Sequence, residues 1–393
     1  MENEYSCHIY VNKDGIDSES GGLGIWFRSQ AIQSIQLNKK VVIFSSKKQR
    51  LDEFEQMPIE FAVPSRLIET CLHLFGTDQV QRAFGKFGWD SEDFANKVFG
   101  LSANLYVWKN YSKKRNFTRI TVPLYGGLGS YLSARFKVEI ALVSSTRDSI
   151  VEMNIPKQRL RRHYQKVIRR EEKSLSKHTR RVSVSRSIHL RYGLPHNAQS
   201  FRIDMPRVYD PFDIEEMHGL ETSKLEFLAR ANSILFIGRC ENRKGFDYLL
   251  EIWKDLLVKF PTLKLVLVGD EIYNQKMAVL DLQNVVCLGL VSDIIKSKLL
   301  SQAKVVLIPS RYESFGIVTI EAMSFGTPIV VSSVGGLKGI SDLSPAVEAC
   351  DVGDIKAFVT KAALLLSDKM VWDEHSRELR MDFLRYYKLS RLN

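Results

Sequence analysis

Two glutamates, Glu313 and Glu321, bracket a small-residue turn and the opening of an apolar helix in the segment ESFGIVTIE, which runs directly into AMSFGTP, Ala322 to Pro328. The spacing poses one carboxylate on a loop and the other on the helix, which the Gly-Thr-Pro string closes. The amides at the start of such a helix, here Phe315, Gly316, Ile317 and Val318, lack intrahelical acceptors and carry unpaired partial positive charge. The segment can therefore hold a phosphate and two polyols together. A second segment, SILFIGRCENRKG from Ser233 to Gly245, ends a buried-strand run at Gly238, follows it with Arg239, and places Lys244 five residues later. An arginine fork and a lysine point charge suit a diphosphate. In a water-poor cleft such cations stabilise negative charge that develops on a departing phosphate. No proton donor to that leaving group is then needed. A glycosidase, by contrast, requires one of two carboxyls, about 5 to 9.5 Å apart, to protonate a poor alkoxide, and would leave both cations idle. A single pair of glutamates is more often a solvated pair of helix-start charges. Here both segments occur in order, with VGD at Val268 to Asp270 and SVGG at Ser333 to Gly336, which argues for a site.

These strings resemble the EX7E signature and the strand, Gly-Arg and Lys-Gly pattern of retaining glycosyltransferases with the GT-B fold, in particular glycosyltransferase family 4. The resemblance extends over residues 231 to 340 and in part over Ser176 to Phe212. It implies that Arg239 and Lys244 grip the diphosphate of a UDP- or GDP-sugar, and that Glu313 lies by the donor sugar and stabilises its oxocarbenium-like centre. Glu321 would accept hydrogen bonds from the ribose 2′- and 3′-hydroxyls. The amides of Phe315, Gly316, Ile317 and Val318 would complete a phosphate nest. Gly238 counts as a donor-binding position, and Leu290 and Val291, after Gly289, would meet the base through the main chain. Gly22 and Gly24, in the string GGLG that follows the first strand, match the family's early glycine pair, which faces the donor phosphates. Many members carry a histidine before the second glycine string, Gly126 to Gly129. This chain has Tyr125 there, so no catalytic histidine is assigned. Members are mostly metal-independent and no DxD lies near the motifs, so no metal is expected.

At 393 residues the chain fits two domains, and 45% hydrophobic with 26% charged residues describes a globular protein rather than a disordered one. No apolar run reaches the roughly 18 residues of a spanning helix, and the start, MENEYSCHIYV, is acidic where a signal peptide would be basic. A cytoplasmic protein is expected, with attachment to the cytoplasmic face of a membrane as a further expectation. Five cysteines (Cys7, Cys71, Cys240, Cys287, Cys350) without CxxC spacing indicate neither a disulfide framework nor zinc. The net charge of +11 is lopsided: residues 1 to 220 hold 34 Lys and Arg against 24 Asp and Glu, and residues 221 to 393 hold 22 against 21. Residues 101 to 200 alone carry 21 basic against 5 acidic side chains, centred on Lys113 to Arg115 and Arg159 to Arg181. In the latter run Leu160, Tyr164, Val167, Ile168 and Leu175 share one helical face. The charge reads either as a solvated face or as attraction to an anionic membrane or a phosphate-bearing acceptor. Nucleic acid is disfavoured, because no stacking aromatics accompany the charge.

The elements that must position these residues alternate as short β-rich runs and helical stretches, the pattern of parallel sheets with crossover helices. Strands are predicted at Tyr5 to Val11, Val41 to Ser45, Ala103 to Trp108, Arg119 to Leu124, Val138 to Val143 and Arg181 to Ser185. A second set falls at Ile234 to Gly238, Lys264 to Val268, Val285 to Leu288, Val305 to Pro309 and Pro328 to Val331. The expected fold class is α/β, with two Rossmann-like doubly wound domains. With the resemblance, it becomes a GT-B architecture whose domains face across a cleft. An acceptor-side domain spans 1–212, a nucleotide-sugar domain 224–369, and a final helix, 370–393, crosses back to the first domain. The expected activity is retaining transfer of a hexosyl group to a glycan, a lipid-linked acceptor or another hydroxyl. The competing readings are a GT-B epimerase or hydrolase of sugar nucleotides and a non-catalytic basic binding protein on this scaffold.

Overall fold

The computed structural model describes residues 6–13, 21–46, 59–64, 91–143, 162–185, 188, 201–203, 208–209, 211, 232–269 and 284–389. The chain divides into two compact units, residues 1–206 and residues 207–391.

In the first unit, β1 (Cys7–Val11), β2 (Lys40–Phe44), β3 (Ile59–Ala62), β4 (Thr118–Pro123), β5 (Lys137–Leu142), β6 (Arg180–Ser183) and β7 (Phe201–Ile203) form one parallel sheet. Its order is β3-β2-β1-β4-β5-β6-β7. The helices are α1 (Gly21–Gln36), α2 (Ser91–Tyr111) and α3 (Arg162–Lys177). The stretch Ala103 to Trp108, expected as a strand, belongs to α2. Alternate apolar residues at 101, 103, 105 and 107 imitate a two-residue period, but the buried face is set by Phe99, Ala103 and Val107 at four-residue spacing, each 0% exposed. Strands β3 and β7 were not among the expected set. The string Gly21 to Gly24 forms the opening turn of α1.

The basic helix α3 has a structural task on its inner face. There Gly126 donates its amide to Glu171 Oε1 (3.2 Å), Ser174 Oγ donates to Gly127 O (3.1 Å), and His178 Nε2 lies 2.8 Å from Gly129 O. The second glycine string is thus fastened to α3 and the residue beyond it. Gly127 must be glycine, because a Cβ there would lie 2.5 Å from that of Arg170.

The second unit follows with β8 (Val208–Tyr209), β9 (Ser233–Ile237), α4 (Phe246–Lys259), β10 (Lys264–Val268), β11 (Val285–Gly289), α5 (Asp293–Gln302), β12 (Val305–Ile308) and α6 (Ile317–Phe325). It ends with β13 (Ile329–Ser332), α7 (Gly335–Leu343), β14 (Val347–Cys350), α8 (Ile355–Ser367), α9 (Lys369–Tyr386) and β15 (Lys388–Leu389). The main sheet is parallel in the order β11-β10-β9-β12-β13-β14. Its central strands read as unbroken apolar runs because helices cover both faces. Phe246, Leu249, Ile252, Trp253 and Leu256 of α4, at helical spacing, pack on β9, β10 and β12 through Ile234, Leu265 and Leu307. Helix α9 packs on α6 and α8: Arg380 Nη1 donates to Ser324 O (2.7 Å), and Phe315 meets Tyr387 edge-on at 6.2 Å. Strand β15 pairs with β8, which places Tyr387 at 0% exposure behind the loop that carries Glu313.

Among the described residues, no helix is long and apolar enough to cross a membrane. Cys7, Cys240, Cys287 and Cys350 are free thiols, and Cys71 lies outside the described residues.

Candidate active site

Strand order fixes where a ligand can enter the second unit. The chain moves outward from β9 through β10 and β11, then returns to lay β12 on the other side of β9, so the direction of winding reverses between β9 and β12. In doubly wound sheets the crevice at the carboxyl ends of the two strands flanking that reversal is open, because their connections leave to opposite sides. Arg239, Arg243 and Lys244 follow β9, and Glu313 follows β12.

Glycines let these two ends approach. Gly245 has φ +66°, and a Cβ on it would sit 1.8 Å from Pro309 O. Gly336 donates its amide to Glu313 O at 2.8 Å, and a Cβ there would lie 2.2 Å from Phe315 Cα. The string SVGG thus packs the start of α7 against the Glu313 loop. Arg311 joins the same loop to the turn before α4. Its amide donates to Arg243 O (2.8 Å), and its guanidinium makes two 2.6 Å bonds to Asp247 while stacking on Tyr248 at 3.7 Å.

Within this frame the charged side chains form a chain of alternating sign. Glu313, buried at 8% exposure, is ion-paired to Lys244 through Oε1 and lies 3.7 Å from Arg243 through Oε2. Ser310 Oγ donates to its Oε1 at 3.2 Å. Arg243 also faces Glu241 at 3.4 Å, and Glu241 holds Arg239 at 2.9 Å. Burial pushes the Glu313 carboxyl up, but the charges of Lys244 and Arg243, with hydrogen bonds from Lys244 and Ser310, outweigh it and hold the group below the usual carboxylate range. Arg239 stands apart, with its side chain 63% exposed. Gly238 lies beneath Lys244, whose Cδ would be 3.6 Å from a Cβ at that position.

Glu321 sits one helical element away, on α6. Its Oε1 accepts from Lys296 Nζ at 2.9 Å, and Lys296 also reaches Asp293 at 3.0 Å. Burial lowers the Lys296 pKa, but the carboxylates of Glu321 and Asp293 outweigh it and raise the ammonium above the ordinary lysine value. Helix α6 begins at a left-handed Gly316 (φ +95°), and its first closing bond runs from the Thr319 amide to Gly316 O at 2.9 Å. The amides of Ile317 and Val318 precede that bond and have no intrahelical acceptor. Phe315 is buried. Val291 is half-buried before Ser292, the N-cap of α5, and Leu290 is 76% exposed.

The structure thus gathers Gly238, Arg239, Lys244 and Glu313 at one crevice and seats Phe315, Gly316, Ile317, Val318 and Glu321 on the turn and helix that follow. Gly22 and Gly24 belong to the first unit, in α1, and Tyr125 is 43% exposed there. Two cations paired with the site glutamates went unread in the sequence. Arg243 had a signal, being a second cation immediately before Lys244. Lys296 had none, because its pairing with Glu321 spans two helices. Among the described residues no group of three or more His, Cys, Asp or Glu side chains is placed to hold a metal.

Residues 231–368 match the family model described as Glycosyl transferases group 1. A 112-residue stretch is 45% identical to an uncharacterized glycosyltransferase of Methanocaldococcus jannaschii, covering 27% of this chain and 28% of that protein. The chain spans well under half the length of the curated relatives it matches. Sucrose-phosphate synthase from Thermosynechococcus elongatus superposes with a TM-score of 0.66 at 18% identity, over 98% of this chain and 95% of that one. HepE of Anabaena, solved in complex with UDP and glucose, gives 0.66 at 15% identity, over 98% and 96%. Two parallel sheets with flanking helices, matched over nearly the whole chain, give this protein the GT-B fold.

Proposed function

We propose that the protein is a retaining glycosyltransferase that moves a hexosyl group from a UDP- or GDP-sugar to a hydroxyl on a glycan or lipid-linked acceptor. The observation that carries this reading is the convergence of Lys244, Arg243 and the buried Glu313 at the carboxyl ends of β9 and β12, beside the free amides at the start of α6. In the reaction the bond from the sugar anomeric carbon to the β-phosphate oxygen breaks, and the acceptor oxygen bonds to the same carbon on the same face. The acceptor proton leaves with the diphosphate or to water. Negative charge grows on the departing phosphate, where fixed cations and helix amides act most strongly. Glu313, held ionised, offers negative charge to the oxocarbenium-like centre, and Arg239 is exposed enough to swing onto a bound diphosphate. The family match over residues 231–368 and the UDP in the HepE complex support the choice of donor.

Product analysis separates this reading from its rivals. Incubation with UDP- and GDP-sugars should release nucleoside diphosphate and form a glycoside only when an acceptor is present, with the donor's anomeric configuration kept. Free sugar or an epimerised donor, formed equally without acceptor, would contradict it.

A membrane-facing role for the first unit rests on α2. Leu101, Leu105 and Trp108 are 45%, 65% and 57% exposed along one side of that helix. Lys97, Lys109, Lys113 and Lys114 accompany them, and no Asp or Glu occurs from residue 94 to 138. An apolar stripe with a tryptophan and a wholly basic flank suits an anionic lipid surface better than a solvated face does.

A further inference from the structure

The geometry points to Lys296 as a positioning residue that pins one oxygen of Glu321 and so leaves the other to receive the ribose hydroxyls of a nucleoside diphosphate. This rests on the nucleotide-sugar reading above and assigns a part to a side chain outside its motifs.

The pair bridges the two helices whose N-termini border the nucleotide end of the proposed site. Lys296 lies on α5, which starts just after Val291, and Glu321 lies on α6, which starts at the phosphate nest. Both side chains are largely covered, at 18% and 14% exposure. Lys296 Nζ takes Glu321 Oε1 at 2.9 Å and Asp293 Oδ1 at 3.0 Å. Glu321 Oε2 makes no hydrogen bond among the described residues.

A carboxylate anchored in this way has lost its freedom to rotate before the ligand arrives, so less ordering entropy opposes binding. Its second oxygen keeps two lone pairs in a fixed direction, which matches the two O–H donors of a ribose 2′,3′-diol. Hydrogen bonds to a carboxylate are charge-assisted and are the stronger kind. The ligand property recognised by the pair is therefore the ribose diol rather than the base or the phosphates.

The test compares UDP with 2′,3′-dideoxy-UDP by isothermal titration on wild type, Lys296→Met and Lys296→Arg. Wild type should prefer UDP. Lys296→Met should weaken UDP about tenfold, the scale of one charged hydrogen bond, while changing the dideoxy analogue less than twofold. Lys296→Arg, which retains the charge, should recover most of the preference. Equal weakening of both nucleotides by Lys296→Met would make the residue merely structural and overturn the proposal, as would no weakening of UDP. Should circular dichroism show that Lys296→Met does not fold, Lys296→Gln takes its place under the same criteria. Wild type that binds both nucleotides equally would overturn the ribose contact and Lys296's part in it. Wild type that binds neither of these, nor GDP, would instead overturn the nucleotide-sugar reading itself.

Discussion

Glu313→Gln separates nucleotide binding from chemistry, because the carboxylate it removes neutralises Lys244, assigned to the diphosphate, and the neighbouring Arg243. Arg243 lies 3.7 Å from Glu313 and Lys244 is closer still, with the two cationic side chains 17% and 18% exposed. Two unit charges about 4 Å apart interact by roughly 4 kcal/mol near a protein surface. Breaking a fully buried pair costs about 3 to 5 kcal/mol. Discounted for partial exposure, the variant should lose about 2 to 3 kcal/mol, or roughly 4 to 12 °C in Tm for a unit of this size. A bound diphosphate restores the missing negative charge, so UDP should raise the Tm of Glu313→Gln by more than that of wild type. Turnover should nevertheless fall about 10² to 10³-fold, because charge opposite the reacting sugar matters most in the transition state. Thermal melts with and without UDP, paired with initial rates, read both effects. A variant that no longer binds UDP but turns over bound donor normally would refute the reasoning.

Glu313 also sets an acid limb. Its folded carboxyl lies below the ordinary value of 4.5, so its stabilising contribution is complete above about pH 4.5 and is lost as pH falls through the folded value. Urea midpoints from pH 3 to 6 should therefore fall less steeply for Glu313→Gln than for wild type; parallel curves would count against the ion-pair network. Gly245→Ala places a methyl 1.8 Å from Pro309 O at φ +66°, so the turn must move away from β12. About 1 to 3 kcal/mol of backbone strain is expected, with a loss of UDP affinity, and unchanged binding would show that the approach of the two strand ends is dispensable. Leu105→Glu with Trp108→Glu should abolish sedimentation with phosphatidylglycerol vesicles while leaving the melting temperature within about 2 °C, since both side chains are exposed. Equal recovery of wild type on neutral and acidic vesicles would return α2 to solvent.

The second unit was the more legible half. Its strands are buried on both faces, so Ile234 to Gly238 and Val305 to Pro309 announce themselves as unbroken apolar runs, and each motif follows directly from a strand end. Strand β14, with Glu348 in its short span at the sheet edge, lacks that signature and was not predicted. In the first unit Ala103 to Trp108 misled, because α2 presents apolar residues on its outer side as well as its inner one, which erases the helical period. The glycine strings illustrate a further limit: composition cannot say whether turn backbone groups face a ligand or the protein, and the Gly126 amide and the Gly127 and Gly129 carbonyls are taken up by Glu171, Ser174 and His178. Spacing placed Glu313, Glu321, Arg239 and Lys244 on their loops and helix. The partners that tune them, Arg243, Ser310 and Lys296, depend on how those pieces pack.

Titration of UDP and GDP into wild type and the Arg239→Ala, Lys244→Ala double variant by calorimetry tests the central claim most directly. Saturable binding of one nucleoside diphosphate to wild type, lost or weakened at least a hundredfold in the double variant, is the predicted result. Undiminished binding by the double variant, or no binding of either nucleotide to wild type, would contradict the assignment of this crevice to a nucleotide-sugar donor.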